Sequence, residues 1–478
     1  GAEGYFSTVS GGGVDLREIP TDNIESVEII KGIPSVKHGD LTSGAILVNT
    51  KASVTPFIGK VKFNPHIKQA YLGKGIKVGQ GGGSLILDLD YAYSQSDVRM
   101  PNPSFNRLNG QATYTNTFLD SRWYTTSKLS LLRTHDKDRD DADQATLEKR
   151  YSKDLGFRLS TSGKIRAKNS KKSGCLNYNI TASYKDQVSY NRSLRSTSIQ
   201  PLPVAMVDST YEAEYLPSEY YTATKIEGKP FNLFTSFDYR FHQKLGAVHN
   251  RIMMGGDYKI DANWGAGRSF DPDYYPSTTQ RARPFSEIPA LHQFSLYLEN
   301  KISAQVLGHA FRAQVGLRYD NIQPVSPVKG KFGQVLLPRL NVSYDLFKDF
   351  TICGGYGISS KSPSLVYLYP DRAYFDPLSF NMYSSNYPEE SLAIITTKVF
   401  RPDNSNMKLS KMHKYEFGFD FTFRGNSFNL TWYNENLKGG YSFEDVLAVV
   451  PYPVYDIYSY MPGQGQQPTL DYTNVDTA

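Results

Sequence analysis

The sequence predicts an all-β protein: a transmembrane antiparallel β-barrel preceded by a small mixed α/β piece. Three observations carry this expectation. Apolar and polar residues alternate with period two over segments of about ten residues; the apolar series tend to end in aromatic rings; and the connections between segments alternate between short and long. Composition agrees, since 35 Tyr, 26 Phe, 38 Gly and 26 Pro among 478 residues favour strands and turns over helices.

Composition also excludes several classes. Charged residues make up 21% of the chain, and no stretch approaches the roughly 20 apolar residues of a spanning helix. A formal net charge of +6, with Lys and Arg mixed among Asp and Glu, leaves no nucleic-acid footprint. Cys175 and Cys353 form no metal or redox spacing. The opening GAEGYFSTVS lacks the charged and apolar regions of a leader, so a signal peptide is expected to be removed or to lie outside the sequence.

Residues 1 to 50 carry helix and turn signals as well as strands. Pro20 precedes a cap at Thr21 or Asp22, with Glu25 in capping-box spacing from Asp22. Ser-Val-Glu-Ile-Ile-Lys then reads as a strand ending at Gly32, and Gly39 and Gly44 bracket a turn before a second strand, Ala45 to Val48. Composition shifts near Lys51.

Beyond about residue 57 the alternation takes over. In HKYEFGFDFTF, Tyr415, Phe417, Phe419, Phe421 and Phe423 share one face, and Glu416, Gly418, Asp420 and Thr422 the other. FRAQVGLRYD sets Phe311, Ala313, Val315, Leu317 and Tyr319 against Arg312, Gln314, Gly316, Arg318 and Asp320. LILDLDYAY near Leu85 to Tyr93, LNYNITASY from Leu176 to Tyr184 and LPRLNVSY near Leu336 to Tyr344 repeat the pattern. A soluble sandwich alternates too, but aromatic girdles flanking an apolar band describe a membrane barrel.

Short polar turns are expected at 79–83, 119–122, 307–309 and 424–426, and long loops at 191–215, 263–289, 361–410 and from 441 onward. Short turns on one side and long loops on the other are what such a barrel has. About fifteen strands result, the last hairpin joining YEFGFDFTF to SFNLTWYNEN, with some forty residues of Tyr, Pro, Gly and Gln after it and no closing strand. An odd count does not close a single-chain bacterial barrel, so the sequence is expected to stop before the protein does.

IESVEIIKGIPSVKHGDLTSGAILVNTK resembles the end of the plug domain of TonB-dependent outer-membrane transporters: Ile24, Glu25, Val27, Glu28, Lys31, Gly32, Ser35, Gly39, Gly44, Thr50 and Lys51 match that family's pattern, while His38 stands where an aromatic residue is usual. LPRLNVSYDLFKDFTICGGYGISSKSPSL and NSNMKLSKMHKYEFGFDF resemble two of its barrel signatures. The IPTDNIESVEIIKG wording, after VDLRE, is similar to SusC-related transporters that carry a carboxypeptidase-like extension. The resemblance implies residues 1–52 as the C-terminal part of the plug and 53–478 as the first two-thirds of a 22-stranded barrel. It further implies residence in the outer membrane among its lipids, TonB engaged through a segment absent from this sequence, and a possible surface lipoprotein as partner. It implies no cofactor.

The candidate sites follow. Arg17, Glu18, Glu25, Glu28 and Lys31 are expected either to face wall charges such as Arg312 or Arg318 or to pair within the plug. Trp264, Tyr274 and Tyr275 fall in one long loop; Tyr367, Tyr369, Tyr374, Phe375 and Tyr383 in a second; Tyr452, Tyr455 and Tyr458 in a third. These rings would stack on sugars or line a peptide site, or else pack the loops together and form an upper girdle. SGGGVDL at 10–16 lacks the Lys-Ser/Thr of a phosphate cradle and reads as a loop. DKDRDDADQATLE from Asp136 fails the calcium-loop frame, with Asp141 at position six and Leu147 at position twelve, so a solvated loop is expected and no metal site. No hydrolase triad, zinc-protease motif or carboxylate pair appears, so no enzyme is expected. The leading expectation is TonB-dependent import of an oligosaccharide, oligopeptide or metal chelate; the alternative is a plugged barrel acting as a signal-transducing or adhesive receptor.

Overall fold

The computed structural model describes residues 24–30, 32–42, 44–79, 81–95, 97, 99, 104–139, 148–168, 174–277, 280–323, 333–445 and 447–478. Arg17, Glu18, Lys31, the SGGGVDL loop, the caps at Thr21 and Asp22, and residues 140–147 of the Asp-rich run lie outside them.

Two strands, β1 (Ile24–Ile30) and β2 (Ala45–Thr50), form an antiparallel pair with Val27 opposite Val48. Glu25 sits inside β1, so it does not act as a capping residue; the β-branched run Ile-Glu-Ser-Val-Glu-Ile-Ile prevails over the capping signal.

The wall starts with β3 (Ile58–Phe63), β4 (Ile67–Lys77), β5 (Ser84–Gln95), β6 (Ser104–Phe118), β7 (Trp123–Arg139), β8 (Lys149–Arg166) and β9 (Cys175–Ser196). After β10 (Gln200–Pro201), β11 (Ser209–Glu212), β12 (Tyr215–Leu216) and β13 (Glu219–Gly228), it resumes with β14 (Pro230–Leu245) and β15 (Val248–Asn263). Then come β16 (Gly267–Phe270), β17 (Leu291–Val306), β18 (His309–Gln323), β19 (Gly333–Phe347) and β20 (Phe350–Lys361). A helical turn α1 (Leu365–Leu368) and β21 (Ala373–Phe375), β22 (Leu378–Met382) and β23 (Leu392–Phe400) precede β24 (Ser410–Phe423) and β25 (Asn426–Lys438); β26 (Pro453–Ser459) and β27 (Thr469–Thr477) end the chain.

Fifteen of these strands build the wall, each antiparallel to the next. β9 divides: Cys175–Tyr184 pairs with β14, and Gln187–Ser196 pairs with β13, which in turn pairs with β16. The ring order brings β25 round to β3. No register joins those two strands among the described residues, and every residue of β25 is exposed.

Burial along the wall is inverted relative to a soluble protein. On β17, Gln293, Ser295 and Glu299 are buried, while Phe294, Leu296 and Leu298 are 43%, 51% and 53% exposed. β18 buries Arg318 and Asp320 and exposes Val315 and Leu317; β5 buries Asp88 and Asp90 and exposes Leu87 and Leu89. The polar face looks inward and the apolar face outward, the arrangement that separates a membrane barrel from a sandwich.

At one end the turns are tight. Leu307-Gly308 and Arg424-Gly425 both take positive φ, the two-residue turn whose twist suits antiparallel strands. At the other end long connections begin after β9, but the first upper connection, between β3 and β4, is only three residues, so the predicted alternation of lengths does not hold from the start. The 361–410 loop is not irregular: β23 pairs with β11, β21 and β22. Arg281, buried, makes two 2.9 Å hydrogen bonds to Asp376, which also accepts from Thr397.

The last forty residues likewise fold, as a β26–β27 hairpin. The strand pattern was present in VYDIY and LDYTNV, obscured by the Pro-Gly-Gln turn between them. Its turn closes on Glu390, fully buried, which accepts from the Tyr460 hydroxyl (2.7 Å), Gly463 N–H (3.1 Å) and Gly465 N–H (2.6 Å). Burial alone would raise this carboxyl, but these donors outweigh it and hold it below the ordinary carboxylate range. A depressed folded pKa stabilises above the unfolded value and ceases to as pH falls through the folded one. Amide exchange in residues 453–477, taken relative to its intrinsic rate at each pH, is therefore expected to be slow at neutral pH and to accelerate as pH drops below the ordinary carboxylate range. Glu390→Gln should accelerate it at pH 7 as well; unchanged protection in that variant would remove the clamp from the account.

Candidate functional site

Residues 32–41, between β1 and β2, run along the inner wall, and the alternation of the wall strands decides what they meet. Arg339 and Asn341 of β19 and Gly316 and Arg318 of β18 share the inward parity. Arg339 donates from Nη1 to the carbonyls of Pro34 (3.2 Å), Ser35 (2.7 Å) and His38 (2.9 Å). Asn341 donates to the Ile33 carbonyl at 3.1 Å, and the Ile33 N–H is bonded to Glu416. The Val36 N–H donates to Glu299 at 3.0 Å. A loop without secondary structure of its own thus has its peptide groups satisfied by wall side chains, as a buried backbone must.

Arg318 is held on both sides. Its guanidinium bonds Asp257 through two nitrogens (2.8 and 3.0 Å) and Asp320 through Nε (2.6 Å), and Nη1 also donates to the carbonyls of Val36 (3.2 Å) and Lys37 (3.4 Å). The charge is almost wholly buried, so each of these partners offsets the loss of water. The glycines of the motif are explained by this closeness. A Cβ on Gly39 would stand 2.3 Å from the Arg318 guanidinium carbon, and one on Gly32, whose φ is 72°, 2.5 Å from Glu416.

Asp40 completes the grip. It accepts from the Ser362 N–H at 2.9 Å and from Lys259 Nζ at 3.1 Å. Burial alone would raise its carboxyl; Lys259, Lys361 and Ser362 together bring it below its ordinary value. Lys37 pairs with Asp238 at 3.0 Å. A cavity of about 220 Å³ remains between loop and wall, bordered by Lys37, Asp40, Lys259, Arg318 and Asp320. Further round, Lys128 reaches the Thr50 hydroxyl beside a cavity of about 480 Å³ lined by Arg158, Lys185 and several hydroxyls and amides.

Of the plug charges expected to pair, only Glu25 and Glu28 lie within the described residues. Glu25 and Glu28 are exposed on β1 with no ion pair among the described residues, and Arg312 bonds Asp345 near a tight turn. Arg318 does meet the loop, but through backbone carbonyls. Gly44 lies at the start of β2, where a Cβ would press on the Ile30 carbonyl at 2.6 Å. Arg339, Glu299, Asp40 and Asn341 were not singled out in sequence. Their signal is an ionisable or amide group on the inward parity of a strand, and nothing local says which of many such groups meets the loop.

The outer-loop aromatics are spread over several contacts. Trp264 stacks on Phe231 at 5.2 Å, Tyr274 on Tyr220 at 5.6 Å, and Tyr275 lies against Phe270. Tyr367 packs with Tyr441 and Phe443, Tyr369 joins the buried cluster with Leu365 and Leu368, and Tyr374 lies under Arg281 at 4.8 Å. Phe375 is exposed on β21. Tyr452 and Tyr455 belong to the terminal hairpin, Tyr452 bonded through its backbone to Ala478 and Tyr455 against Tyr472; Tyr458 is 75% exposed on β26. Tyr383 lies 5.1 Å from Tyr215, and both border a cavity of about 580 Å³ with Glu212, Glu214, Glu389 and Gln467.

Residues 78–478 match the model of the TonB dependent receptor-like β-barrel family. The chain belongs to that family. No curated protein matches it. Among solved structures it is similar to the siderophore receptor PirA of Pseudomonas aeruginosa, at 13% identity and TM-score 0.55, over 97% of this chain and 70% of that one. It is also similar to a mutant of the ferric enterobactin receptor PfeA of the same organism (14%, 0.58, 96% and 64%) and to the ferric-catecholate import receptor Fiu of E. coli (11%, 0.56, 87% and 63%). The chain therefore spans just under two-thirds of the latter two. At such identities the likeness establishes the fold alone.

Removing the Arg339 guanidinium takes a donor from three loop carbonyls, of which only Ser35 keeps another among the described residues, the His38 N–H at 3.0 Å. Arg339→Ala is expected to destabilise the docked loop by about 3 kcal/mol and to open residues 33–41 to protease, with the wall still resisting unfolding in detergent. Gly39→Val should do the same by displacing Arg318. An unchanged cleavage pattern in both variants would show that these contacts do not hold the loop.

Proposed function

We propose that this chain is the body of a TonB-dependent importer of the bacterial outer membrane, in which residues up to about 52 are the end of a lumenal plug. The observation that carries this reading is the chemistry of the loop–wall contact. The apolar anchors are few, Ile33, Pro34 and Val36, and the remainder is hydrogen bonds and ion pairs to Arg318, Arg339, Glu299, Asp238 and Lys259. Such a contact can exchange its partners for water when the segment is pulled, whereas a large apolar interface would have to expose its area at about 25 cal/mol per Å². TonB supplies the pull, and the 480 Å³ opening beside Thr50 lies where a solute path would start.

For the solute, the outer cavity supports an oligosaccharide or a cationic oligopeptide over an anionic metal chelate. It sets Tyr215 and Tyr383 beside three carboxylates, Glu212, Glu214 and Glu389, and an anion there would meet like charge. Burial pushes the Tyr215 hydroxyl up to about 12, so it stays neutral at working pH, where it donates to Asn381 Oδ1 at 2.6 Å and leaves the ring for contact. A SusC-related transporter with a surface lipoprotein as lid accords with this solute class, as does the wording of the plug motif.

Uptake of labelled oligosaccharide or peptide by cells expressing the complete protein is expected to need TonB and the proton gradient; uptake undiminished in their absence would defeat the importer reading. Tyr215→Ala with Tyr383→Ala should weaken binding of the solute about tenfold by the loss of ring contacts, measured by titration calorimetry on the purified receptor. Tighter binding of a ferric catecholate than of any glycan or peptide would overturn the solute assignment.

A further inference from the structure

The outward face of β24 and β25 changes character in steps from the tight turn to the long-loop end. Cross-strand partners run Phe421–Phe428, Phe419–Leu430, Phe417–Trp432, Tyr415–Asn434, His413–Asn436 and finally Lys411–Lys438. The lower pairs are an exposed apolar band, with Phe417 52%, Leu430 60% and Trp432 61% exposed. Tyr415 stacks with Tyr356 of β20 at 5.0 Å at the top of that band. Above the tyrosines the face becomes polar and then cationic.

The top pair is anomalous as sheet chemistry. Like charges directly opposite one another on adjacent strands destabilise the ladder, yet Lys411 faces Lys438 and His413 follows on the same side. Lys408 joins them across a cavity of about 510 Å³ that Gln334 and Met407 also border. Neither the three lysines nor His413 has a carboxylate partner among the described residues. The nearby carboxylates Glu416 and Glu435 have the opposite parity, and Glu435 is occupied with the buried Lys414 at 2.7 Å. Among the described residues this positive charge has no counter-ion, and an external anion would supply one.

We propose that Lys408, Lys411, His413 and Lys438 form a site for the phosphate of a lipid headgroup in the outer leaflet. This rests on the reading of the wall as membrane-spanning with its long loops outside the cell. The level of the site selects a lipid over a solute: it opens on the outward face, directly above the tyrosines that mark the edge of the apolar band, at headgroup height. Lysine stems lying along apolar surface with their ammonium groups raised to the interface are suited to that position.

The test uses the full receptor purified in detergent, its retained lipid read by native mass spectrometry after incubation with a diphosphorylated glycolipid or its dephosphorylated form. The wild type is expected to hold the phosphorylated lipid at least tenfold more strongly than the dephosphorylated one. Lys411→Gln with Lys438→Gln should lose that preference, Lys411→Arg with Lys438→Arg should keep it, and Lys348→Gln, at a tight turn of the opposite end, should leave it unchanged. Resistance of the folded barrel to unfolding in SDS without heating confirms that each variant is intact. Equal retention of the two lipids, or a glutamine variant indistinguishable from wild type, overturns the proposal. So does displacement of the lipid by inorganic phosphate at equal concentration, which would assign the site to a free anion. A chain absent from the membrane fraction would instead defeat the membrane-spanning reading itself.

Discussion

A hydrogen-bonded wall of antiparallel strands leaves each residue one of two directions, and in this protein the two directions meet different surroundings. Along the apolar band of the wall, charged groups such as Glu299, Arg318 and Asp320 therefore take the inner parity, and large apolar groups such as Leu296, Leu298 and Leu317 the outer one. Everything else in the structure works within that constraint. Arg318 and Arg339 are inside because their positions are, and once buried they need oxygen partners. The carboxylates of Asp257 and Asp320 supply some to Arg318. The carbonyls of residues 34–38 supply the rest, and that demand gives an irregular loop a defined path along the wall.

The same logic orders the outer loops. Arg281 and Glu390 are buried in the loop cluster and Asp376 is half-buried there, and each has partners drawn from distant parts of the chain. Glu390 takes its donors from a turn seventy-odd residues away, which makes the terminal hairpin a part of the loop cluster. Polar groups hold these segments together, and polar contacts specify position more sharply than apolar ones because each has a geometry to satisfy.

The alternation in HKYEFGFDFTF and FRAQVGLRYD was legible residue by residue, and so were the tight turns at Leu307-Gly308 and Arg424-Gly425. The outer aromatics were legible as a class but not as individuals. Tyr369 is core, Tyr374 supports an arginine, Tyr383 borders a cavity, and nothing within three or four neighbours of each ring distinguishes them. The hairpin after residue 450 was missed because its turn residues were more conspicuous than its two short alternating runs.

By itself, then, the sequence determined the strand faces, the tight turns, the glycines of the 32–44 motif and the family to which these belong, because each depends on periodicity or on local backbone freedom. Only the tertiary structure decided that Gly39 must be small on account of Arg318, that Glu25 and Glu28 are exposed, and that Lys411 stands against Lys438. Those facts join residues as far as about 280 positions apart. Register around a wall of fifteen strands brings such pairs together, and no local signal encodes it.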